Sequence, residues 1–261
     1  MSLTSDIATL VARYEALAAI FDDKKAEIDA AVAAAIAAVP LLTVRYYVDA
    51  VNGNDAKDGK SVANALQTIG KAFQLGGQGR AIEIVLVSDY VMTSILSVPQ
   101  NSNVHIIANG FDVNTNPSVR RKLTFTLLPN ETSTVSGEWQ LSSFRCGSTG
   151  VSSFDFTAIE IVLPAMPATG TLTQHYYNGV VSQNSIHAPT MFAMQVRSST
   201  ITAPANPAGW LMGLHTSRSA VLIVNNVVSD SALMPGHWIS GFASGAQVSA
   251  STRLLSNLAT L

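Results

Sequence analysis

The chain has 261 residues, a formal net charge of −2, 48% hydrophobic residues and only 12% charged residues. This near-neutral charge provides no electrostatic basis for binding nucleic acid. The longest apolar run, residues 30–42, is shorter than the ~20 residues that a membrane-spanning helix needs, and Pro40 interrupts it. We therefore expect a chain that spans no membrane and buries much of its surface, in part between subunits.

The first segment, residues 1–40, is predicted to be an oligomerisation helix. A helix over residues 3–39 would begin near Thr4, Ser5 and Asp6, which favour helix starts, and end at Pro40. Its large residues recur at alternating intervals of four and three, the spacing of a coiled-coil seam. Lys24 is the polar member of this seam. The apolar residues predicted to make the subunit contact are Ile7, Leu10, Tyr14, Leu17, Phe21 and Ile28.

The next segment, residues 45–80, combines a strand, a polar turn and a short helix. Val44–Val51 is rich in β-branched and aromatic residues, which favour a strand. Asn, Gly and Asp follow in NGNDAKDG, and these residues favour tight turns. Apolar residues then recur at helical spacing within Ala63–Phe73, which predicts a helix.

This segment resembles the opening motif of parallel β-helix proteins, in particular bacteriophage tailspikes and tail fibres. The match consists of YVDA at residues 47–50, Asn52-Gly53, Asp55, Asp58-Gly59, Ala65, Thr68-Ile69 and Lys71-Ala72. The resemblance covers about 29 residues of the chain. It implies a trimeric protein of the phage tail, in which the segment caps a right-handed parallel β-helix with a pectate-lyase-like architecture.

Residues 81–261 are predicted to form the β-helix-like body. Strand patterns recur irregularly, at intervals of roughly 15–25 residues, with turn residues and no helices between them. This arrangement argues against a doubly wound α/β fold, whereas a sandwich or jelly roll stays open. The predicted strands are Ile82–Val87, Val104–Ala108, Leu123–Leu128, Glu138–Phe144, Ala158–Leu163, Gln174–Val181, Phe192–Val196 and Ala220–Val228.

A polysaccharide-cleaving site would need two suitably placed carboxylates. The acids considered are Asp89, Asp112, Glu131, Glu138, Asp155 and Glu160, of which Glu131, Glu138 and Asp155 are the best catalytic candidates. Their spacing does not predict a pair. The single Cys146 has no evident histidine partner, and the five histidines show no close pairing that would bind a metal. We expect neither a metal nor another cofactor.

Aromatic residues in loops favour recognition of sugars, because ring faces stack on sugar rings. Trp210, after a proline-containing loop, and Trp238, after Pro235-Gly236, are the candidate platforms, and Arg218 is a candidate donor to an acidic glycan. Together with the resemblance, these residues predict a homotrimeric fibre subunit of the virion, made in the host cytoplasm. It would attach to other tail proteins through its helix and bind host polysaccharide. A virion-associated depolymerase and a purely architectural tail-tip protein are the alternatives.

Overall fold

The computed structural model describes residues 3–38, 42–130, 137–147, 152–173, 175–183, 191–215, 219–229, 234, 236–250 and 254–261. The chain divides into two compact units, Met1–Leu41 and Leu42–Leu261. Glu131 and Arg218, two of the predicted site residues, lie outside the described residues. The described part is mainly β structure with one long N-terminal helix, and most of its strand pairs are parallel.

The first unit contains helix α1, Leu3–Ala38, which is 36 residues and about 54 Å long. Every side chain from residue 7 to residue 31 is exposed in the single chain. The six residues of the predicted seam have exposed fractions between 50% (Leu17) and 73% (Tyr14). The side chains of residues 7–31 therefore contribute no buried apolar surface that would stabilise the helix.

The second unit consists of short strands and one further helix, α2, Ile69–Gly76. In chain order, the strands are β1 (Thr43–Val48), β2 (Ala81–Leu86), β3 (Tyr90–Met92), β4 (Ile95–Ser97), β5 (Asn103–Ala108), β6 (Arg121–Phe125), β7 (Leu127–Pro129), β8 (Glu138–Leu141), β9 (Ser143–Cys146), β10 (Ser152–Thr157), β11 (Ile159–Val162), β12 (Thr171–Leu172), β13 (Gly179–Gln183), β14 (Met191–Arg197), β15 (Thr200–Thr202), β16 (Trp210–Gly213), β17 (Ser219–Asn225), β18 (Val228–Ser229) and β19 (Leu254–Ser256). Short 3₁₀-helices occupy His175–Tyr177 and Val248–Ala250.

The strands form sheets whose neighbours follow the order of the sequence. In the described residues, the long sheet has the order β1-β2-β5-β10-β14-β17-β19, and every neighbouring pair in it is parallel. A second parallel sheet has the order β3-β6-β11-β15-β18, and a third has the order β4-β9-β13-β16. A smaller sheet, β7-β8-β12, includes the antiparallel pair β7–β8. The chain thus passes from one sheet to the next and returns to the long sheet one strand further along.

The core is built from stacked rows of inward-facing side chains. On the long sheet, Val44, Ile82, Val104, Phe154 and Met194 occupy matching positions on consecutive strands, and all are buried. Alternation of side chains along each strand leaves the residues between them on the outer face. A cluster of aromatic rings lies between the sheets, with neighbouring centroids 5.3–6.2 Å apart: Phe73, Phe125, Phe144, Phe154 and Phe156.

The polar motif after β1 is held by local hydrogen bonds. The Asp49 carboxylate accepts bonds from the backbone N–H groups of Val51 and Asn52, at 3.0 and 3.1 Å. Burial by itself would raise its pKa, but these bonds, together with those of the Ser88 and Asn52 side chains, lower it. A side chain at Gly53 would place its Cβ 2.2 Å from the Leu66 carbonyl oxygen, so only glycine fits there.

The start of α2 differs from the sequence prediction, which placed a helix over Ala63–Phe73. Thr68 is the N-cap, and its hydroxyl accepts a bond from the Lys71 N–H at 3.1 Å. Asp55 reaches across the turn and accepts bonds from the N–H groups of Gln67 and Thr68, at 2.8 and 2.9 Å. These bonds hold the preceding residues in a turn and delay the helix to Ile69.

Replacing Asp55 with Ala should destabilise the body, because the two backbone donors of Gln67 and Thr68 would lose their acceptor. We expect a loss of about 1–3 kcal/mol in the free energy of unfolding, measured by chemical denaturation. Asp58→Ala is the matched control, since its carboxylate accepts one exposed bond, from the Lys60 N–H. That control should cost less than about 0.5 kcal/mol. Equal effects of the two substitutions would contradict this role for Asp55.

Candidate functional site

The outer face of the long sheet carries two adjoining rows of in-register side chains that form a shallow groove. The side chains of the first row are short and mostly polar, and this row consists of Thr43, Ala81, Asn103 and Ser153. The second row is charged or ionisable, and it consists of Arg45, Glu83, His105 and Asp155. We call the first row the floor and the second row the ladder. The difference in side-chain length between the rows creates a cavity of about 300 Å³.

Each of the two carboxylates of the ladder forms an ion pair with an arginine. Arg45 Nε lies 2.6 Å from Glu83 Oε1. Asp155 accepts from Arg197 through both of its oxygens, with Arg197 Nε 3.2 Å from Asp155 Oδ1. Arg197 comes from β14, next to β10. The two arginines do not line the cavity, whereas Glu83 and Asp155 do. The groove therefore presents carboxylates, and the compensating positive charges lie outside it.

His105 occupies the centre of the ladder, between the two carboxylates. Its Nε2 lies 3.0 Å from the Thr157 hydroxyl oxygen, and that hydroxyl donates to Asp155 Oδ1 at 3.1 Å. Since the Thr157 proton is used on Asp155, we infer that a neutral His105 carries its proton on Nε2. Nδ1 then holds a lone pair and lies 3.9 Å from Glu83 Oε2.

Burial lowers the pKa of His105, and this effect exceeds the opposing attraction of Asp155 and Glu83. The imidazole is therefore neutral at neutral pH. From Arg45 to Asp155, the charges of the ladder are therefore positive, negative, neutral and negative. Arg197 adds a positive charge beyond Asp155.

This arrangement suits hydrogen-bond acceptance better than acid–base catalysis. Glu83 and Asp155 are separated by one intervening strand, which places their backbones about 10 Å apart. An inverting glycosidase also needs one of its two carboxyl groups to be protonated, so that this group can act as the acid. Each of these carboxylates already accepts from an arginine, so neither is arranged as a proton donor.

The predicted catalytic residues do not come together in the described structure. Glu138 lies on β8, where it accepts a bond from the Asn130 amide at 3.3 Å, whereas Asp155 lies on the long sheet. Of the two predicted catalytic candidates that the structure describes, Asp155 lines the groove and Glu138 does not. Burial raises the pKa of the Cys146 thiol to about 12, so this residue is not a thiolate nucleophile near neutral pH.

The predicted tryptophan platforms are half-buried rather than projecting. The indole N–H of Trp210 donates to the Gly236 carbonyl at 2.8 Å, and its ring lies nearly parallel to His237, 6.2 Å away between centroids. Trp238 packs against the hydrophobic core. Neither residue lines the groove. Both rings keep part of their surface exposed, and their role as sugar platforms stays a prediction.

Sequence reasoning missed Glu83, His105 and the two arginines as a group. The sequence predicts no partner for His105, and Glu83 is not one of the candidate acids for a polysaccharide-cleaving site. The available signal was a polar residue with an apolar neighbour on each side within a strand: Glu83 in AIEIVL, His105 in NVHIIA and Asp155 in SSFDFT. Only the strand register shows that these residues are neighbours.

Within the described residues, no group of three or more His, Cys, Asp or Glu side chains could hold a metal ion. No helix in the described part of the chain is long and apolar enough to cross a membrane. Compared with known proteins, the chain matches no family model, no curated protein and no solved structure.

The position of His105 predicts a pH-dependent stability. Its lowered pKa means that the unfolded chain binds a proton more readily than the folded chain, so stability should fall as the pH drops below about 6.5. We expect the melting temperature to decrease from pH 7.5 to about pH 5, and to decrease less in His105→Gln. Measurements above pH 5 leave Asp49 and Asp112 ionised, because their pKa values are lowered from 3.8. An unchanged pH dependence in the variant would rule out His105 as the source.

Proposed function

We propose that this chain is a subunit of a homotrimeric fibre that binds polysaccharide on a host surface, as tailspikes and tail fibres of phages do. The observation that carries the proposal is the groove on the long sheet, in which the hydroxyl and amide groups of the floor lie beside the acceptors Glu83, His105 and Asp155. Polar groups placed in this way fix the orientation of a ligand, and a sugar hydroxyl can both donate to and accept from them. On this proposal, the protein acts in the virion, attaches to the tail through α1 and contacts the host through its body.

The order of the strands supports a parallel β-helix as the architecture of the body. Strands that are consecutive in the long sheet are separated in the sequence by strands of the other sheets, and each return adds a parallel neighbour. Each circuit then buries its apolar face against the circuits before and after it. We take the helix to be right-handed, because parallel crossover connections are almost always right-handed.

The exposed seam of α1 supports self-association. Val11 and Ile20, which are 49% and 56% exposed, flank this seam at the positions that carry charged residues in many two-stranded coiled coils. Apolar residues there widen the stripe beyond a two-helix contact and favour a bundle of more than two helices. The resemblance to tail fibres selects the trimer among such bundles.

A trimer would present three identical grooves on one rigid body. Each groove is shallow, and a single shallow site binds weakly because few ligand atoms are buried. Simultaneous engagement of a repeating polymer raises the overall affinity without any new contact. The proposed oligomerisation and the proposed recognition therefore support each other.

Filling the floor of the groove should abolish polysaccharide binding. Ser153→Tyr would place a large ring where a small hydroxyl now donates to Asn103 Oδ1 at 2.8 Å. Thr202→Tyr is the matched control, since Thr202 is an exposed strand residue on the second sheet. We expect binding to a surface polysaccharide of the host, measured by biolayer interferometry, to fall at least about tenfold only for the groove variant. Equal binding by both variants would show that the groove is not the site.

A charge in the α1 seam should dissociate the oligomer. Leu17→Glu would place carboxylates within the contact between helices, whereas Ala16→Glu would place them beside the seam. We expect sedimentation analysis to give a trimer for the natural chain and Ala16→Glu, and a monomer for Leu17→Glu. A natural chain that sediments as a monomer would contradict the proposed assembly.

A further inference from the structure

We propose that the groove selects saccharides that carry a free, positively charged amino group, and that this group binds over His105 between Glu83 and Asp155. The inference rests on the proposed function, since it names the class of sugar that the same groove would bind. It is carried by the sign and position of the charges around the cavity.

The cavity is acidic on the side that a ligand would meet. Its lining includes the carboxylates of Glu83 and Asp155 and the imidazole of His105, and no described lining residue is a lysine or an arginine. The positive charges of Arg45 and Arg197 lie at the far ends of the ladder, with side chains 59% and 42% exposed. Water screens these exposed ends more strongly than the half-buried carboxylates, which are 20% and 22% exposed.

The atoms at the centre of the ladder are acceptors. In the neutral tautomer inferred from its contact with Thr157, His105 presents the lone pair of Nδ1. Glu83 Oε2 lies 3.9 Å from that nitrogen, which is too long for a direct hydrogen bond. An ammonium group has three donors and no acceptor, so it could bind both atoms at once. A neutral hydroxyl has one donor, and a carboxylate or phosphate would face like charge.

Burial, set against the charged groups around it, explains why His105 does not itself supply this positive charge. Glu83 and Arg45 face it from β2 and β1, and Asp155 and Arg197 face it from β10 and β14. Burial lowers the pKa of His105 despite the two carboxylates. A ligand ammonium that remains partly in water at the mouth of the groove escapes most of that desolvation cost.

The test uses three β-1,4-linked tetrasaccharides with the same backbone: glucosamine, N-acetylglucosamine and glucose. Calorimetric titration of the full chain near pH 6, where the free amine is protonated, should give at least about fivefold tighter binding of the glucosamine tetramer. Equal affinities for the three sugars would overturn this inference and leave the proposed function intact. Absence of binding to all three would also overturn this inference, whereas the proposed function would fail only if the host polysaccharide did not bind either.

Two substitutions at the same end of the ladder should act in opposite directions. Glu83→Gln removes an acceptor charge and should reduce the preference for glucosamine about fivefold, whereas Arg45→Gln removes a positive charge and should raise it. Glu160→Gln, a carboxylate on the second sheet, is the matched control and should leave the preference unchanged. Circular dichroism confirms that each variant is folded. A preference that does not respond to Glu83→Gln would contradict the proposed position of the amine.

The ammonium group could also be recognised without its sugar. Ethanolamine, added as a competitor at the concentration of the tetramer, should displace little of it, because it lacks the ring hydroxyls that contact the floor. Displacement by ethanolamine at equal concentration would overturn the assignment to a saccharide. The natural chain and Ser153→Tyr are compared in the same titration, because only a ligand that lies on the floor is affected by that substitution.

Discussion

The in-register pairing of parallel strands in the long sheet is the constraint on which the core and the groove both depend. Tyr46, Ile84 and Ile106 are neighbours on the buried side, and Arg45, Glu83 and His105 are neighbours on the outer side, through the same pairing. A slip of one residue on any strand would exchange these two sides. The hydrophobic free energy of the core therefore fixes the order of charges on the surface. The pairing that aligns the core residues therefore also aligns the side chains of the ladder on the outer face.

Buried polar side chains maintain this register where the sheets end. Ser199 accepts the backbone N–H of Ile159 at 3.0 Å, although it comes from the following circuit of the chain. Asn178 accepts the N–H of Leu141 at 2.8 Å, and Ser240 accepts that of Leu214 at 2.7 Å, again between circuits. A buried backbone donor without an acceptor is costly, so each bond favours one alignment of neighbouring circuits. All three side chains are almost completely buried, which shows why short polar residues occur within the core.

The parts of this structure that local physics determines could be predicted from the sequence. The predicted helix over residues 3–39 is confirmed as Leu3–Ala38, and the strand predicted at Ile82–Val87 lies at Ala81–Leu86. Strands of three residues, such as Tyr90–Met92 and Ile95–Ser97, were missed because they are too short to show a periodicity. The site was missed because it depends on pairing across distance. Ala81 pairs with Asn103, 22 residues away, whereas Asn103 pairs with Ser153, 50 residues away.

The positions of the arginines determine what the groove can do. If an arginine stood where His105 stands, the cavity would hold a positive charge between its two carboxylates, and the proposed preference for a cation would weaken. With Arg45 and Arg197 at the two ends, the ladder stays neutral as a whole, while its central part remains negative. The body can therefore place two carboxylates on one face without a large repulsion, because each has its own partner. The same partners hold both carboxylates as acceptors, which favours recognition of a ligand over cleavage of a glycosidic bond.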